Sequence, residues 1–200
     1  FSARLTSRDK HKINIASQAE KDEVIQYLQN AQAVVAKIEK KEKRKKAAPP
    51  FITSTLQQEA AKRLNFYSKR TMKVAQELYE GLEIGKEGTV GLITYLRTDS
   101  TRVAQVAQQE ALAYIRSNYG AEYAPQTPNL YKSKKNAQDA HEAIRPTSVL
   151  RTPESIKAFL TRDQYRLYRL IWERFLASQM TAAVFDTVAV EIEAGIYGLR

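Results

Sequence analysis

The chain has 200 residues, a net charge of +10 and no cysteine, which excludes disulfides and cysteine-ligated zinc sites. Its two histidines are too few for a histidine-rich metal site, so any metal would need carboxylate ligands. The excess of Lys and Arg favours a polyanionic partner such as nucleic acid, although a basic, solvated surface without a partner gives the same charge.

Residues 1–50 have the pattern of a small α/β unit. The unit begins with two short β-prone stretches, Phe1–Leu5 and Lys12–Ala16. In Lys21–Ala31 the apolar residues fall on one helical face, and in residues 34–39 they alternate as in a strand. The strand continues into the charged run Lys40–Lys46, for which an exposed strand end, a linker and a phosphate-facing surface all remain open.

Helices are predicted after Pro49 and Pro50, which can continue neither a strand ladder nor a helix interior. Beyond this boundary the hydrophobic period changes from about 2 to about 3.6 residues. The predicted N-cap residues are Thr53 or Ser54, Ser68, Asp99 or Ser100, Thr152 and Thr161. The helix after Ser68 is expected to carry Met72, Ala75, Leu78 and Tyr79 on its apolar face. Gly120 is expected to follow the end of a helix, and residues 188–193 alternate as a strand again.

Strands at both ends and helices between them predict a mixed α/β fold that is mainly helical. The simplest architecture is a helical domain, residues 51–180, inserted into a small β-containing domain built from residues 1–50 and 181–200. No apolar run approaches the roughly 18 residues of a membrane span, and Phe1–Leu5 does not resemble a signal peptide. Together with the absence of cysteine, this predicts a cytoplasmic protein with no membrane partner. Because the chain lacks an initiator Met, we expect a piece of a longer protein.

The segment Gly91–Ser100 is the first of two that suit phosphate chemistry. Its Tyr95 is a poor nucleophile as a free phenol, whose pKa is about 10, but a guanidinium such as Arg97 favours the phenolate and can hold a phosphate oxygen. Amides of a helix starting at Asp99 would add positive potential, and Thr98 and Ser100 would add hydrogen-bond donors. The structural alternative is a half-buried Tyr beside a salt-bridged Arg and an Asp cap.

The second segment is Asp139–Thr147. His141 and Arg145 are four residues apart, so on a helical turn they would share a face suited to phosphate binding and proton transfer. In the alternative interpretation His141 caps a carbonyl group, and Arg145 pairs with Glu142 or Asp139.

Both segments resemble the signature stretches of type IA DNA topoisomerases, Gly-Leu-Ile-Thr-Tyr-x-Arg-Thr-Asp-Ser and Ala-His-Glu-Ala-Ile-Arg-Pro, and occur in the order of that family. Pro50–Ala60 is similar to a third family stretch, and Leu170–Phe175 with Gln179–Thr181 to the helix that closes the same domain. Leu96 favours a resemblance to bacterial topoisomerase I over topoisomerase III or reverse gyrase. Topoisomerase III enzymes usually have Pro at this position, whereas bacterial topoisomerase I typically has Met, which Leu matches closely in volume.

The resemblance implies an enzyme that cleaves one DNA strand through a 5′-phosphotyrosine, passes the other strand through the break, and religates without ATP to relax negatively supercoiled DNA. Tyr95 would be the nucleophile, Arg97 would support the scissile phosphate, and His141 and Arg145 would contact the DNA backbone. Supporting roles fall to Thr53, Gln57, Thr94, Thr98, Asp99 and Ser100. The β-containing domain would be the hinge, or arch, of the enzyme, and we expect a monomer associated with the nucleoid.

The resemblance also implies Mg²⁺, which the family holds on acidic residues of a Toprim domain that carries an Asp-x-Asp motif. No such motif occurs in the 200 residues, so we expect no metal ligand here and a Toprim domain elsewhere in the same polypeptide. The chain alone is therefore predicted to be inactive.

Two alternatives belong to other classes. Tyrosine recombinases and type IB enzymes also combine Tyr, Arg and His, but their His-x-x-Arg motif precedes the nucleophile, whereas His141 and Arg145 follow Tyr95 with different spacing. A non-catalytic basic DNA-binding module explains the charge and the helices, but it gives no reason for the residues around Tyr95.

Overall fold

The computed structural model describes residues 2–131 and 141–200 and confirms the predicted mixed α/β, mainly helical class, with 43% helix and 22% strand. The helices are α1 (Gln18–Asn30), α2 (Thr53–Leu64), α3 (Ser68–Glu80), α4 (Gln105–Asn118), α5 (Pro153–Ile156) and α6 (Arg162–Ser178). The strands are β1 (Leu5–Arg8), β2 (His11–Lys12), β3 (Ala33–Lys45), β4 (Leu82–Glu83), β5 (Thr89–Val90), β6 (Ala183–Ala194) and β7 (Tyr197–Leu199).

The chain divides into two compact units, one formed by Phe1–Lys45 with Val184–Arg200 and the other by Lys46–Ala183. The first unit has a five-stranded sheet in the order β2-β1-β7-β6-β3, in which β1 and β6 each pair antiparallel with β7. Its helix α1 begins at Gln18, three residues before the predicted stretch Lys21–Ala31, because the Ser17 hydroxyl caps it by accepting a hydrogen bond from the Glu20 amide. The charged run 40–46 proves to be mostly strand, since β3 extends to Lys45.

The second unit packs its helices around one apolar core. Among its fully buried side chains are Phe51, Leu56, Leu78, Leu92, Ile93, Leu96, Ile144, Leu167 and Phe175. Helix α6 begins with the predicted capping box, in which the Thr161 hydroxyl accepts from the Gln164 amide and the Gln164 side chain accepts from the Thr161 amide. Thr152 caps α5 as predicted, and Gly120, with φ of 118°, follows the end of α4.

Several predicted helix and strand boundaries are wrong. Thr53 and Ser68 are the first residues of α2 and α3, whose caps are Ile52 and Tyr67. Only Lys12 of the β-prone stretch Lys12–Ala16 lies in a strand. None of the helices in residues 2–131 and 141–200 is both long and apolar enough to cross a membrane.

Candidate active site

Backbone pairing of three distant segments builds the surroundings of Tyr95. Phe51 pairs with Ile144, and Ile93 pairs with Pro146, as isolated antiparallel bridges. The Thr94 amide donates to the Arg145 carbonyl at 2.9 Å, and the Ile144 amide donates to the Phe51 carbonyl at 2.8 Å. The stretches that the sequence analysis singled out separately are therefore parts of one structure.

Two threonine hydroxyls hold the chain on either side of Tyr95. Before it, the Thr94 hydroxyl donates to the Ala143 carbonyl at 2.7 Å and accepts from the Arg145 amide at 3.0 Å. After it, the Thr53 hydroxyl donates to the Leu96 carbonyl at 2.8 Å and accepts from the Thr98 amide at 2.9 Å. Thr53 can do this because it is the first residue of α2 and does not cap that helix.

Leu92, Ile93 and Leu96 anchor the segment, since each is at most 1% exposed. Gly91 lies so close to α3 that a Cβ atom on it would approach the Tyr79 carbonyl oxygen to 2.8 Å. The neighbouring Leu92 amide donates to the Leu78 carbonyl at 2.7 Å. Only glycine permits this approach without displacing backbone, and the approach fixes the end of α3 against the segment.

The Tyr95 ring contacts two other rings and is 38% exposed. Its centroid is 5.1 Å from that of His141, with a tilt of 36° between the planes, and 5.6 Å from that of Tyr79 in an edge-on arrangement. The structure thus brings the predicted nucleophile and the predicted histidine together. Tyr79, expected on the apolar face of its helix, is 39% exposed beside Tyr95, and the sequence analysis did not assign it to the site.

The Arg97 and Asp99 side chains are exposed, and within the described part of the chain neither forms an ion pair or a side-chain hydrogen bond. The structural alternative of a salt-bridged Arg beside a capping Asp is therefore wrong. No described residue therefore occupies the five N–H donors of the Arg97 guanidinium.

The expected helix at Asp99 or Ser100 is also wrong, because α4 begins only at Gln105. The Thr98 hydroxyl accepts from the Ser100 amide at 3.0 Å, and the Ser100 hydroxyl accepts from the Arg102 amide at 3.2 Å. Such local bonds compete with helix formation, and both side chains are buried, at 7% and 2% exposure. The predicted contribution of helix amides next to Tyr95 is thereby removed.

His141–Arg145 is extended and not helical, because its backbone pairs with Phe51 and Thr94. Arg145 donates from Nε to the Glu142 carboxylate at 2.9 Å and from Nη1 to the Pro146 carbonyl at 2.9 Å. This is the pairing with Glu142 of the alternative interpretation; Asp139 lies outside the described residues.

Glu142 connects this segment to the start of α4, where its carboxylate accepts from the Ala104 amide at 2.9 Å. Burial raises the pKa of Glu142, but the hydrogen bonds from Arg145 and Ala104 and the charges of Arg145 and Arg102 outweigh burial, so the pKa lies below its ordinary value. From the sequence, Glu142 was expected only as a partner for Arg145.

Gln57, the last of the predicted supporting residues, is half-buried one turn after Thr53 on the same face of α2. Among the described residues no group of three or more His, Asp or Glu side chains could hold a metal ion.

A family model described as DNA topoisomerase matches residues 2–199. Among solved structures, full-length topoisomerase I from Thermotoga maritima is similar, with 38% sequence identity and a TM-score of 0.79. The match covers 98% of this chain and 31% of that one, so the chain spans about a third of the length of the relative.

Proposed function

The chain belongs to the type IA DNA topoisomerase family, and on that premise we propose that Tyr95 is the nucleophile that cleaves one DNA strand. The observation that carries the proposal is the arrangement around Tyr95: a partly exposed phenol, an imidazole beside it and an uncommitted guanidinium two residues along the chain. Buried neighbours such as Ile93 and Leu96 hold the backbone in this arrangement, whereas the Tyr95 and Arg97 side chains are exposed to solvent.

In the proposed reaction the Tyr95 hydroxyl gives up its proton to solvent as its oxygen attacks phosphorus, and the bond from phosphorus to the 3′ oxygen of the adjoining sugar breaks. The 5′ end then remains on tyrosine, and the departing 3′ oxygen takes up a proton. Arg97 stabilises the charge that builds on the phosphate oxygens, and His141 positions the DNA backbone. Attack by the free 3′-hydroxyl reverses the step without ATP, because the phosphotyrosine ester conserves the phosphodiester energy.

We assign Arg145, Thr53, Thr94, Thr98, Asp99, Ser100 and Gln57 to supporting roles. The bonds of Thr53 and Thr94 favour positioning of the chain on both sides of Tyr95. Arg145 already donates to Glu142 and Pro146, so a phosphate contact would fall to its remaining N–H groups.

Mg²⁺, which the family implies, does not fit the described residues, since they contain no metal-ligating cluster of three or more His, Asp or Glu. We propose that its ligands lie in a Toprim domain outside residues 1–200. The proposed partners of the chain are that domain and DNA, and the proposed setting is a monomeric enzyme at the nucleoid.

Substitution of Tyr95 by Phe in the intact protein that contains this chain tests the nucleophile. Phe keeps the ring but removes the attacking oxygen, so DNA binding should persist while formation of a protein-linked 5′ end is lost. Cleavage by the Tyr95→Phe variant, or a covalent link to the 3′ end, would refute the assignment.

A second experiment concerns the chain by itself. Without the metal-binding part, the 200-residue chain should not relax a negatively supercoiled plasmid in the presence of Mg²⁺. Robust relaxation by the purified chain would show that residues 1–200 suffice.

A non-catalytic basic DNA-binding module remains the second candidate, favoured by the net charge of +10. The Tyr95→Phe experiment separates the two candidates, because a module that only binds DNA has no cleavage to lose.

A further inference from the structure

Away from Tyr95, α3 and the start of α6 enclose a surface groove of about 620 Å³, here called the α3–α6 groove. Its lining includes Tyr67, Lys69, Arg70, Lys73, Arg162 and Asp163. No part of the proposed cleavage chemistry uses this groove.

The α3–α6 groove has an excess of positive charge. Four of its side chains are cationic and two, Glu77 and Asp163, are acidic. Both acids have partners, because Asp163 accepts from Arg70 and Glu77 accepts from Gln164 at 2.9 Å. The other three cations, Lys69, Lys73 and Arg162, are exposed and form no ion pair with any described residue. These three charges are available to an anionic ligand.

Arg70 is held in place within the groove. Its guanidinium stacks over the buried Phe66 ring at 4.5 Å, and its Nε donates to Asp163 at 2.8 Å. Because stacking and pairing fix the side chain, little conformational entropy is lost when its remaining N–H groups bind a ligand.

An aromatic ring stands at the edge of these cations. Tyr67, immediately before α3, is 67% exposed, although burying a ring of this size is normally favourable. Exposed aromatic rings beside lysines and arginines are the features by which proteins bind single-stranded nucleic acid, since an unpaired base can stack on the ring while the cations neutralise its phosphates. In a duplex the bases are stacked inside the helix, so the exposed ring favours a single strand.

The groove is separate from the cleavage site. Arg70 precedes Tyr79, the contact of Tyr95, by nine residues, which correspond to about 14 Å and about two and a half turns of helix. Half a turn places Arg70 on the side of α3 opposite Tyr79. A nucleotide bound in the groove is therefore not the one attacked by Tyr95.

We propose that the α3–α6 groove binds a single-stranded DNA segment outside the cleavage site, with phosphates on Lys69, Arg70, Lys73 and Arg162 and a base on Tyr67. The choice of DNA over RNA rests on the proposed function; the choice of a single strand rests on the groove itself.

Binding of labelled oligothymidine to the 200-residue chain, measured by fluorescence anisotropy over a series of salt concentrations, tests the proposal. For single strands the slope of log K against log salt is about −0.7 per neutralised phosphate. The triple variant Lys69→Gln, Lys73→Gln, Arg162→Gln should therefore reduce the slope by about 2 and weaken binding roughly tenfold or more at about 0.1 M salt. The matched control removes two lysines and one arginine that are exposed elsewhere in the same unit, at Lys62, Lys86 and Arg116. This control variant should change the slope by less than about 0.7, the value expected for one phosphate contact.

Tyr67 provides an independent readout, because stacking contributes affinity but no salt dependence. Tyr67→Ala should weaken binding about fivefold or more with an unchanged slope, and Tyr67→Phe should bind as the original chain does. Equal slope changes in the groove and control variants would overturn the proposal, as would an unaltered affinity of Tyr67→Ala. Equal competition by duplex, or preference for oligouridine, would also overturn it. Circular dichroism establishes folding; if the triple variant unfolds, Lys73→Gln alone should lower the slope by about 0.7.

The outcomes for the groove and for Tyr95 are distinguishable. Tyr95→Phe should bind oligothymidine in the groove unchanged, and the groove variants of the intact protein should still cleave a short oligonucleotide. If Tyr95→Phe loses cleavage but the groove variants bind oligothymidine unchanged, the proposal for the α3–α6 groove is refuted and the assignment of Tyr95 as nucleophile stands.

Discussion

Replacing Thr94 by Val tests whether its hydroxyl holds the two signature segments together. Val has nearly the same shape but loses the bond to the Ala143 carbonyl at 2.7 Å and leaves the Arg145 amide without its partner at 3.0 Å. A buried polar group without a partner costs about 1–3 kcal/mol, so two in this half-buried position should lower the free energy of unfolding by about 2–4 kcal/mol.

Urea denaturation followed by circular dichroism measures this loss, and Thr94→Ser, which restores the hydroxyl, should recover most of it. The matched control is Thr147→Val, since the Thr147 hydroxyl donates to the Gly91 carbonyl at 2.8 Å and accepts from Arg151 Nη1 at 3.3 Å. Because Thr147 is exposed, water can replace both bonds, and their loss should cost about 1 kcal/mol or less. Equal losses for the two Val variants, or no recovery in Thr94→Ser, would refute the reasoning.

Three further changes have defined outcomes. Gly91→Ala forces a Cβ against the Tyr79 carbonyl, so the melting temperature should fall; an unchanged melting curve would contradict the contact. The pKa of Glu142 is lower in the folded than in the unfolded chain, so the unfolded state binds more protons as acid is added. The stability advantage over Glu142→Gln should be full above the ordinary carboxyl pKa and disappear as the pH falls through the lower folded value; urea titrations at several pH values would contradict this if the difference stayed constant. Leu96→Met should cost less than about 1.5 kcal/mol and Leu96→Ala about 2–5 kcal/mol in the same assay, because Leu96 is 1% exposed; equal costs would exclude tight packing.

Elements with local signals could be predicted from the sequence. The capping box at Thr161 and the alternation in residues 188–193 correspond to the start of α6 and to β6. The expected cap at Ser100 failed because the Thr98 and Ser100 hydroxyls bond backbone amides two residues ahead, which delays the helix to Gln105. A short polar side chain before an apolar run is compatible with both outcomes, so the sequence could not decide.

The parts of the site that escaped prediction depend on pairing between distant segments. His141–Arg145 has the spacing of a helical turn, but the bonds of its backbone to Phe51 and Thr94 draw it into an extended form. Tyr79 was expected on the apolar face of its helix. The helical period places its ring on that face but cannot tell whether the ring packs into the core or, as found, lies exposed beside another aromatic ring. Gly91 was a possible signal for Tyr79, since a glycine beside an apolar stretch often marks the close approach of another backbone.

The polar residues around Tyr95 form two groups, those that hold the backbone in place and those proposed to take part in the reaction. The hydroxyls of Thr53 and Thr94 bond to backbone groups, and the Glu142 carboxylate bonds to the Ala104 amide and to Arg145. By contrast, Tyr95 and Arg97 face outward. A phenol that is 38% exposed remains surrounded partly by water, in which electrostatic stabilisation of a phosphate is weak. The proposed chemistry therefore needs a second surface that covers Tyr95 and excludes water. The match covers 31% of the relative's chain, and we propose that the covering surface corresponds to a part of the enzyme outside residues 1–200. The predicted inactivity of residues 1–200 agrees with the lack of such a surface.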